Sequence, residues 1–182
     1  MNTAKIYLET DRIRMREFTM DDIDLLVDLD SDPAVTRYIN GGLPTPREEV
    51  ERIMPRIFEY YEKHPGQGVW VAENRETEEF MGWFHLRPNR AAEEETELGY
   101  RLKQRFWGQG FGTEGSLALI RKGFEELGSS IVVAIADPEN GASRRVMEKA
   151  GLKFLEEYAE PDGFIVVKYG VTRENWSGGP GV

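Results

Sequence analysis

The sequence predicts one α/β domain of the α+β kind, a mixed sheet with helices on both faces. Three observations carry that expectation. The hydrophobic period changes along the chain in the order strand, helices, three strands, helix, strand, helix, two strands, which is not a run of repeated βαβ units. Ile131 to Ala136 (IVVAIA) is apolar without alternation, the pattern of a strand covered on both faces. The 182 residues, 40% of them hydrophobic, suffice to bury a core without a metal or disulfide staple.

Arg12 to Phe18 alternates Ile13 and Met15 against Arg12, Arg14 and Arg16, a half-exposed strand. Thr19-Met20-Asp21-Asp22 resembles a capping box with Asp for Glu, and Ile23, Leu26 and Val27 give the inner face of the helix behind it. Ser31-Asp32-Pro33 opens a short second helix, with Pro33 in a tolerated first-turn position. Thr45-Pro46-Arg47-Glu48 reads as a better capping box, leading into the stripe Val50, Ile53, Ile57 and Tyr60, which Pro55 should kink. Val69 to Glu73 and Phe80 to Leu86 are β-branched and aromatic runs joined by a polar turn, and Glu97 to Leu102 is a third strand. A glycine-dense loop follows, then a helix from about Thr113 to Leu127 on Leu117, Ile120, Phe124 and Leu127. After the Ile131 strand, Asn140 to Ala150 is a helix stopped by Gly151. Leu152 to Tyr158 and Phe164 to Val171 are strands joined at Pro161-Asp162-Gly163. Residues 1–176 are expected to form the single domain and 177–182 (SGGPGV) a flexible tail.

Charge and composition exclude several classes. With 23 Lys+Arg against 33 Asp+Glu, the formal net charge of −10 argues against nucleic acid and anionic membrane as partners, though not against a pocket for one small anion. The chain has no Cys and only His64 and His85, so no disulfide, cysteine nucleophile or metal site is expected. The charged N-terminal stretch lacks the apolar core of a signal peptide, and no run approaches the ~20 apolar residues of a membrane helix, so a cytoplasmic protein is expected.

The informative segment is Arg105-Phe106-Trp107-Gly108-Gln109-Gly110-Phe111-Gly112-Thr113-Glu114. It lies between a strand and a helix, where unpaired amides and the positive helix end favour an anion. Gly108, Gly110 and Gly112 allow φ > 0 and close approach of backbone to a ligand, a cradle suited to a diphosphate. Arg101, Lys103 and Arg105 form a local basic cluster with no acid between them. A P-loop is excluded because no Gly-Lys-Ser/Thr follows. A dinucleotide fingerprint half fails, since Thr113 stands at the third glycine position, although Asp137 lies at about the distance of a ribose-binding acid. A tight turn whose glycines only solve packing is the remaining alternative.

Arg105-x-x-Gly108-x-Gly110 also matches the Arg/Gln-x-x-Gly-x-Gly/Ala signature of the GNAT acetyltransferase superfamily. Leu8-Glu9-Thr10-Asp11-Arg12-Ile13-Arg14-Met15-Arg16, Asp32-Pro33-Ala34-Val35-Thr36-Arg37-Tyr38, Glu97-Leu98-Gly99-Tyr100 and Asn140-x-x-Ser143-Arg144-Arg145-Val146-Met147 through Leu152 resemble its ribosomal-protein N-terminal (alanine/serine) acetyltransferase branch, in the expected order. The resemblance implies an acyl-CoA N-acyltransferase fold whose central parallel strands splay apart around acetyl-CoA, the cosubstrate, with no metal. Its diphosphate would lie on the amides of Gln109, Gly110, Phe111, Gly112 and Thr113, flanked by Arg105 and Gly108. Tyr100, Arg101 and Leu102 would meet the pantetheine backbone to backbone, and Asn140 and Ser143 would approach the pantetheine and sulfur.

The chemistry so implied is attack of a neutral amine on a thioester, although free amines are mostly protonated at pH 7. A base must take a proton, a strand N–H freed by the splay would serve the oxyanion, and a thiolate leaves. Without Cys there is no cysteine-linked acetyl-enzyme, which points to direct transfer in a ternary complex. Glu97 is the candidate base, directly or through a water, against the plain alternative of a salt-bridged strand carboxylate. The superfamily often has a Tyr where this chain has Met147, so Ser143, one turn earlier, is the candidate acid, against a hydroxyl bonded to its own helix. Gly112 and Gly115 stand where alanines are commoner in the family. His85, Trp70, Trp83 and Trp107 read as packed or anchoring rings rather than pocket groups. The acceptor would be a protein N-terminus or a small-molecule amine, met by Pro33 to Gly68 and the hairpin after Leu152. A homodimer is among the expected states. The alternative from another class is a non-catalytic acyl-CoA-binding or sensor domain.

Overall fold

The computed structural model describes residues 4–89 and 92–178. Of the expected tail, residues 179–182 lie outside the described residues. Among the described residues, five α-helices accompany an eight-stranded mixed sheet of order β1-β2-β3-β4-β5-β6-β8-β7. The chain divides into two compact units, the described residues of Met1–His85 with Tyr100–Phe111, and those of Leu86–Gly99 with Gly112–Val182.

In the first unit, β1 (Ile6–Glu9) pairs antiparallel with β2 (Ile13–Arg16), and β2 with β3 (Gly68–Asn74). Strand β1 is absent from the sequence reading, because four residues with exposed ends carry almost no alternation. The Thr19–Asp22 box is present: the Thr19 N–H donates to Asp22 Oδ2 at 2.7 Å, on a short 3-10 turn leading into α1 (Ile23–Ser31). Asp32 caps α2 (Pro33–Asn40) by accepting from the Ala34 N–H. The second box is not formed. Pro46 precedes α3 (Arg47–Lys63), and the Thr45 hydroxyl donates instead to Asp30 Oδ2 at 3.0 Å. Helix α3 continues through Pro55. Phe18, Ile23, Leu26, Leu29, Val50 and Met54 pack with Val71 and Phe80 into one core cluster.

A buried ionic fork anchors the entry to α1. Arg16 donates through both Nη atoms to Asp22 at 2.8 Å and through Nε to Glu73 at 2.7 Å. Burial pushes the Asp22 carboxyl up, but the Arg16 fork and the Thr19 N–H outweigh it and hold it below its ordinary value. A carboxyl lowered on folding stabilises the protein above the unfolded pKa and loses that contribution as pH falls through the folded one. Asp22→Asn is therefore expected to cost about 2–3 kcal/mol at pH 7. The difference from wild type should shrink below about pH 4, which urea unfolding at pH 7 and pH 3 measures.

In the second unit, the Thr96–Gly99 part of β5 (Thr96–Leu102) pairs parallel with β6 (Ile131–Ala136) at Thr96–Val132 and Glu97–Val133. Strand β6 pairs antiparallel with β8 (Ile165–Thr172), and β8 with the edge strand β7 (Lys153–Ala159), which bulges between Phe154 and Glu156. Helix α4 (Phe111–Glu125) packs Leu119, Ile120 and Phe124 inward, and α5 (Gly141–Lys149) is capped by Asn140 and buries Met147. Strand β4 (Phe80–Pro88) runs antiparallel to β5, between Lys103 N–H to Met81 O and Asn89 N–H to Glu95 O, both 2.8 Å.

Candidate functional site

The first unit carries the glycine loop. After Leu102 the chain makes a 3-10 turn over Gln104–Phe106, and Trp107 turns back so that its indole N–H donates to the Leu102 carbonyl at 2.7 Å. Trp107 is thus a loop anchor, 45% exposed. The Gln109 side-chain amide donates to the Arg105 carbonyl at 2.6 Å. Gly108 and Gly110 adopt φ of +73° and +86°, in the left-handed region that side chains disfavour. A Cβ on Gly108 would meet nothing within 4 Å, and one on Gly110 only the tip of Arg12 at 3.3 Å. These glycines are not forced by packing against protein, so the space in front of them is open to a ligand.

Gly112 differs from the expectation of φ > 0, because it already lies in the first turn of α4 with Thr113. The loop therefore gives way to helix one residue after Gly110, and its amides lead directly into the unpaired N–H groups of the helix start. That donor set, an open backbone followed by a helix N-terminus, fits the diphosphate of a coenzyme A thioester.

The basic cluster is not a free cationic patch. Arg101 donates to Asp30, Lys103 to Asp28, and Arg105 pairs with Glu79, while the Arg101 guanidinium also lies over Trp83 at 5.2 Å. Arg101 is committed through its side chain to α1, and Tyr100 packs on Phe84 at 5.4 Å, which leaves the backbone of this strand segment as the part to consider for a ligand. His85 is buried and stacks on Trp83 at 5.7 Å. One cation does reach the loop. Arg12, 97 residues earlier, donates to the Gln109 carbonyl at 3.0 Å.

The second unit carries the remaining candidates. The Glu97 carboxylate is mostly buried and accepts from Arg87 Nη2 at 3.2 Å. On the same unit, Lys168 bridges Glu95 and Glu156. The Tyr158 phenol donates to Glu160 at 3.0 Å and is pushed up from its ordinary value by burial first, then by the Glu160 bond and nearby carboxylates including Glu97. At α5, the Asn140 side chain accepts from the Ser143 N–H at 3.1 Å, a helix cap that also fixes Ser143 in the first turn. The Ser143 side chain makes no hydrogen bond among the described residues, so its hydroxyl is not tied back to its own helix. Asp137 accepts from the Glu139 N–H at 2.7 Å, a turn-forming role in place of the ribose contact a dinucleotide fingerprint would need. Arg12 and Arg87 are the site residues that sequence reasoning missed. No local pattern shows their partners, since Arg12 and Arg87 act on Gln109 and Glu97, in other segments of the chain.

Among the described residues no group of three His, Asp or Glu side chains could hold a metal ion, and no helix is long and apolar enough to cross a membrane. The acetyltransferase (GNAT) domain family matches residues 12–153. FsC-acetyl coenzyme A-N(2)-transacetylase of Aspergillus fumigatus is 34% identical, over 97% of this chain and 77% of the fungal protein. An uncharacterised N-acetyltransferase of Bacillus subtilis is 29% identical, over 86% of this chain and 89% of its own. A GNAT-family acetyltransferase structure from Bacillus anthracis superposes with a TM-score of 0.77 at 22% identity, covering 92% of this chain and 98% of that one. A Vibrio cholerae protein described as a ribosomal-protein-serine acetyltransferase gives 0.75 at 19% identity, covering 90% and 95%.

Proposed function

Because this chain belongs to the GNAT acetyltransferase family and is an acetyl-CoA-dependent acyltransferase, we propose that it moves the acetyl group to a primary amine by direct transfer in a ternary complex. The observation that carries the donor side is the loop at Gly108 and Gly110, held at positive φ with open space where side chains would stand. Gln109 to Thr113 present amides to the diphosphate, with Arg105 and Gly108 flanking, and the backbone of Tyr100 to Leu102 lies along the pantetheine. Trp107 already occupies the Leu102 carbonyl, so the contact falls on the rest of that backbone.

Acetyl-CoA supplies an activated acyl carbon, and this chain's residues manage charge and protons around it. Glu97 attracts the acceptor ammonium and takes its proton, directly or through a water, on parting from Arg87. The neutral nitrogen then bonds to the acyl carbon as the C–S bond breaks. Ser143, whose hydroxyl makes no hydrogen bond among the described residues, gives its proton to the leaving sulfur and takes the second amine proton in its place, and Asn140 approaches the pantetheine while fixing that helical turn. A thiol has a pKa near ~8.5, so this proton assists rather than decides. The absence of Cys supports direct transfer.

For the acceptor, a small-molecule amine is favoured over a protein N-terminus, because the name of the Aspergillus relative, FsC-acetyl coenzyme A-N(2)-transacetylase, mentions no protein or peptide. The Vibrio neighbour shares the fold only. Single-turnover acetylation of a panel of amines and N-terminal peptides tests both arms. Product with the amines supports the reading, product with peptides alone overturns the acceptor choice, and tight acetyl-CoA binding with no transfer identifies a sensor domain. In the same assay Glu97→Gln should lower turnover about 100-fold at pH 6 and far less at high pH, where free amine is abundant. A profile that overlays wild type would leave Glu97 as the structural partner of Arg87.

A further inference from the structure

Arg12, the residue before β2, enters the sequence analysis as a polar residue of the alternating run and as part of the Leu8 to Arg16 segment, with no role of its own. In the fold its guanidinium engages three successive residues of the first unit, at the point where loop becomes helix. Nη1 donates to the Gln109 carbonyl at 3.0 Å, Nη2 lies 3.3 Å from where a Cβ on Gly110 would stand, and Cζ sits 4.3 Å over the Phe111 ring centroid. Phe111 is the first residue of α4, whose N-terminal end is already positive. A cation at that end opposes the helix dipole, and an anion in the loop relieves both charges.

The hydrogen bond also orients a peptide plane. A trans peptide points its N–H opposite to its C=O, so anchoring the Gln109 carbonyl on Arg12 turns the Gly110 N–H to the other side of the chain. The stacked Phe111 ring fixes the next residue, so the loop is held before any ligand arrives. We infer that Arg12 is a positioning residue for the diphosphate of the acetyl donor: it presets the Gln109–Gly110 peptide so that the Gly110 amide faces the anion. The inference rests on the reading of this loop as the acetyl-CoA diphosphate site.

The test compares two donors with the same thioester, acetyl-CoA and acetyl-pantetheine, the second lacking the diphosphate. Arg12→Gln is expected to raise KM for acetyl-CoA about tenfold with kcat nearly unchanged, and to leave kcat/KM for acetyl-pantetheine at the wild-type value. Arg12→Lys, which keeps a donor but loses the planar fork, should recover part of the loss. Thermal melting of both variants identifies any loss of folded protein, and Arg12→Lys carries the test if Arg12→Gln does not fold. Equal losses with both donors would make Arg12 merely structural, and an unchanged KM for acetyl-CoA would show that the loop is set without it. If wild type uses acetyl-CoA no better than acetyl-pantetheine, the diphosphate reading of the loop itself falls.

Discussion

Gly110→Val is expected to weaken acetyl-CoA binding at least ~1000-fold, about 4 kcal/mol, while the protein stays folded. Gly110 has φ +86°, a region that a β-branched residue enters only under strain. The valine either holds the native loop and projects its side chain into the space where the diphosphate would lie, or relaxes the loop and turns the amides away. Both outcomes remove the contact. Its Cβ would also press on Arg12 Nη2 at 3.3 Å, displacing the guanidinium that fixes the Gln109 carbonyl. Folding survives because the residue is exposed and nothing else lies within 4 Å of the new Cβ, so the cost is the ~1–3 kcal/mol of backbone strain. Gly128→Val is the matched control: φ is +74° with nothing within 4 Å, and the residue follows α4 rather than belonging to the loop. Calorimetric titration of both variants with acetyl-CoA separates strain from blockage. Loss of binding in Gly110→Val alone supports the cradle. Wild-type affinity there would mean that the glycines are architectural.

The order of elements was legible because each one carries its own period. Ile131 to Ala136 coincides with β6 to the residue, and the Thr19–Asp22 box and the Asn140 cap lie where local chemistry puts them. What sequence could not show is partnership at a distance. Arg101, Lys103 and Arg105 look like a free basic run because no acid stands between them. Their partners Asp30 and Asp28 come from α1 and Glu79 from the turn before β4, so the run is neutralised by the fold. Thr45 is misread for the same reason: its hydroxyl has a local use as a helix cap and a distant one on Asp30, and the distant one wins. The glycine loop was legible as a cradle, yet the division of labour within it was not. Gly108 and Gly110 are left-handed, Gly112 is helical, and the cation that reaches the loop is Arg12, just before β2, rather than one of the adjacent basic residues.

Gly82→Ala should abolish stable folding, a loss above ~4 kcal/mol. Within the run Phe80-Met81-Gly82-Trp83 the glycine looks like a weak link in a strand, since glycine leaves nothing to pack. The structure gives the opposite role. At φ +142° its missing side chain lies against the neighbouring strand: a Cβ would run into the Arg101 carbonyl oxygen and stand 2.9 Å from the Arg101 carbonyl carbon and the Leu102 Cα. All three atoms are backbone, so no rotamer change can make room, and the methyl must push β5 off β4. The segment so displaced is the one proposed to lie along the pantetheine, and it carries Arg101 with its Asp30 partner and the Leu102 carbonyl that anchors Trp107. A single methyl therefore acts on the core and the donor site together. Gly123→Ala is the contrasting case, because in α4 its Cβ would meet only side-chain atoms at 3.5 Å or more. Alanine is the better helix former there by up to about 1 kcal/mol, so unchanged or raised stability is expected. Urea unfolding of the two variants decides the matter: a Gly82→Ala protein that unfolds cooperatively near the wild-type midpoint would mean that the two strands tolerate separation at this point.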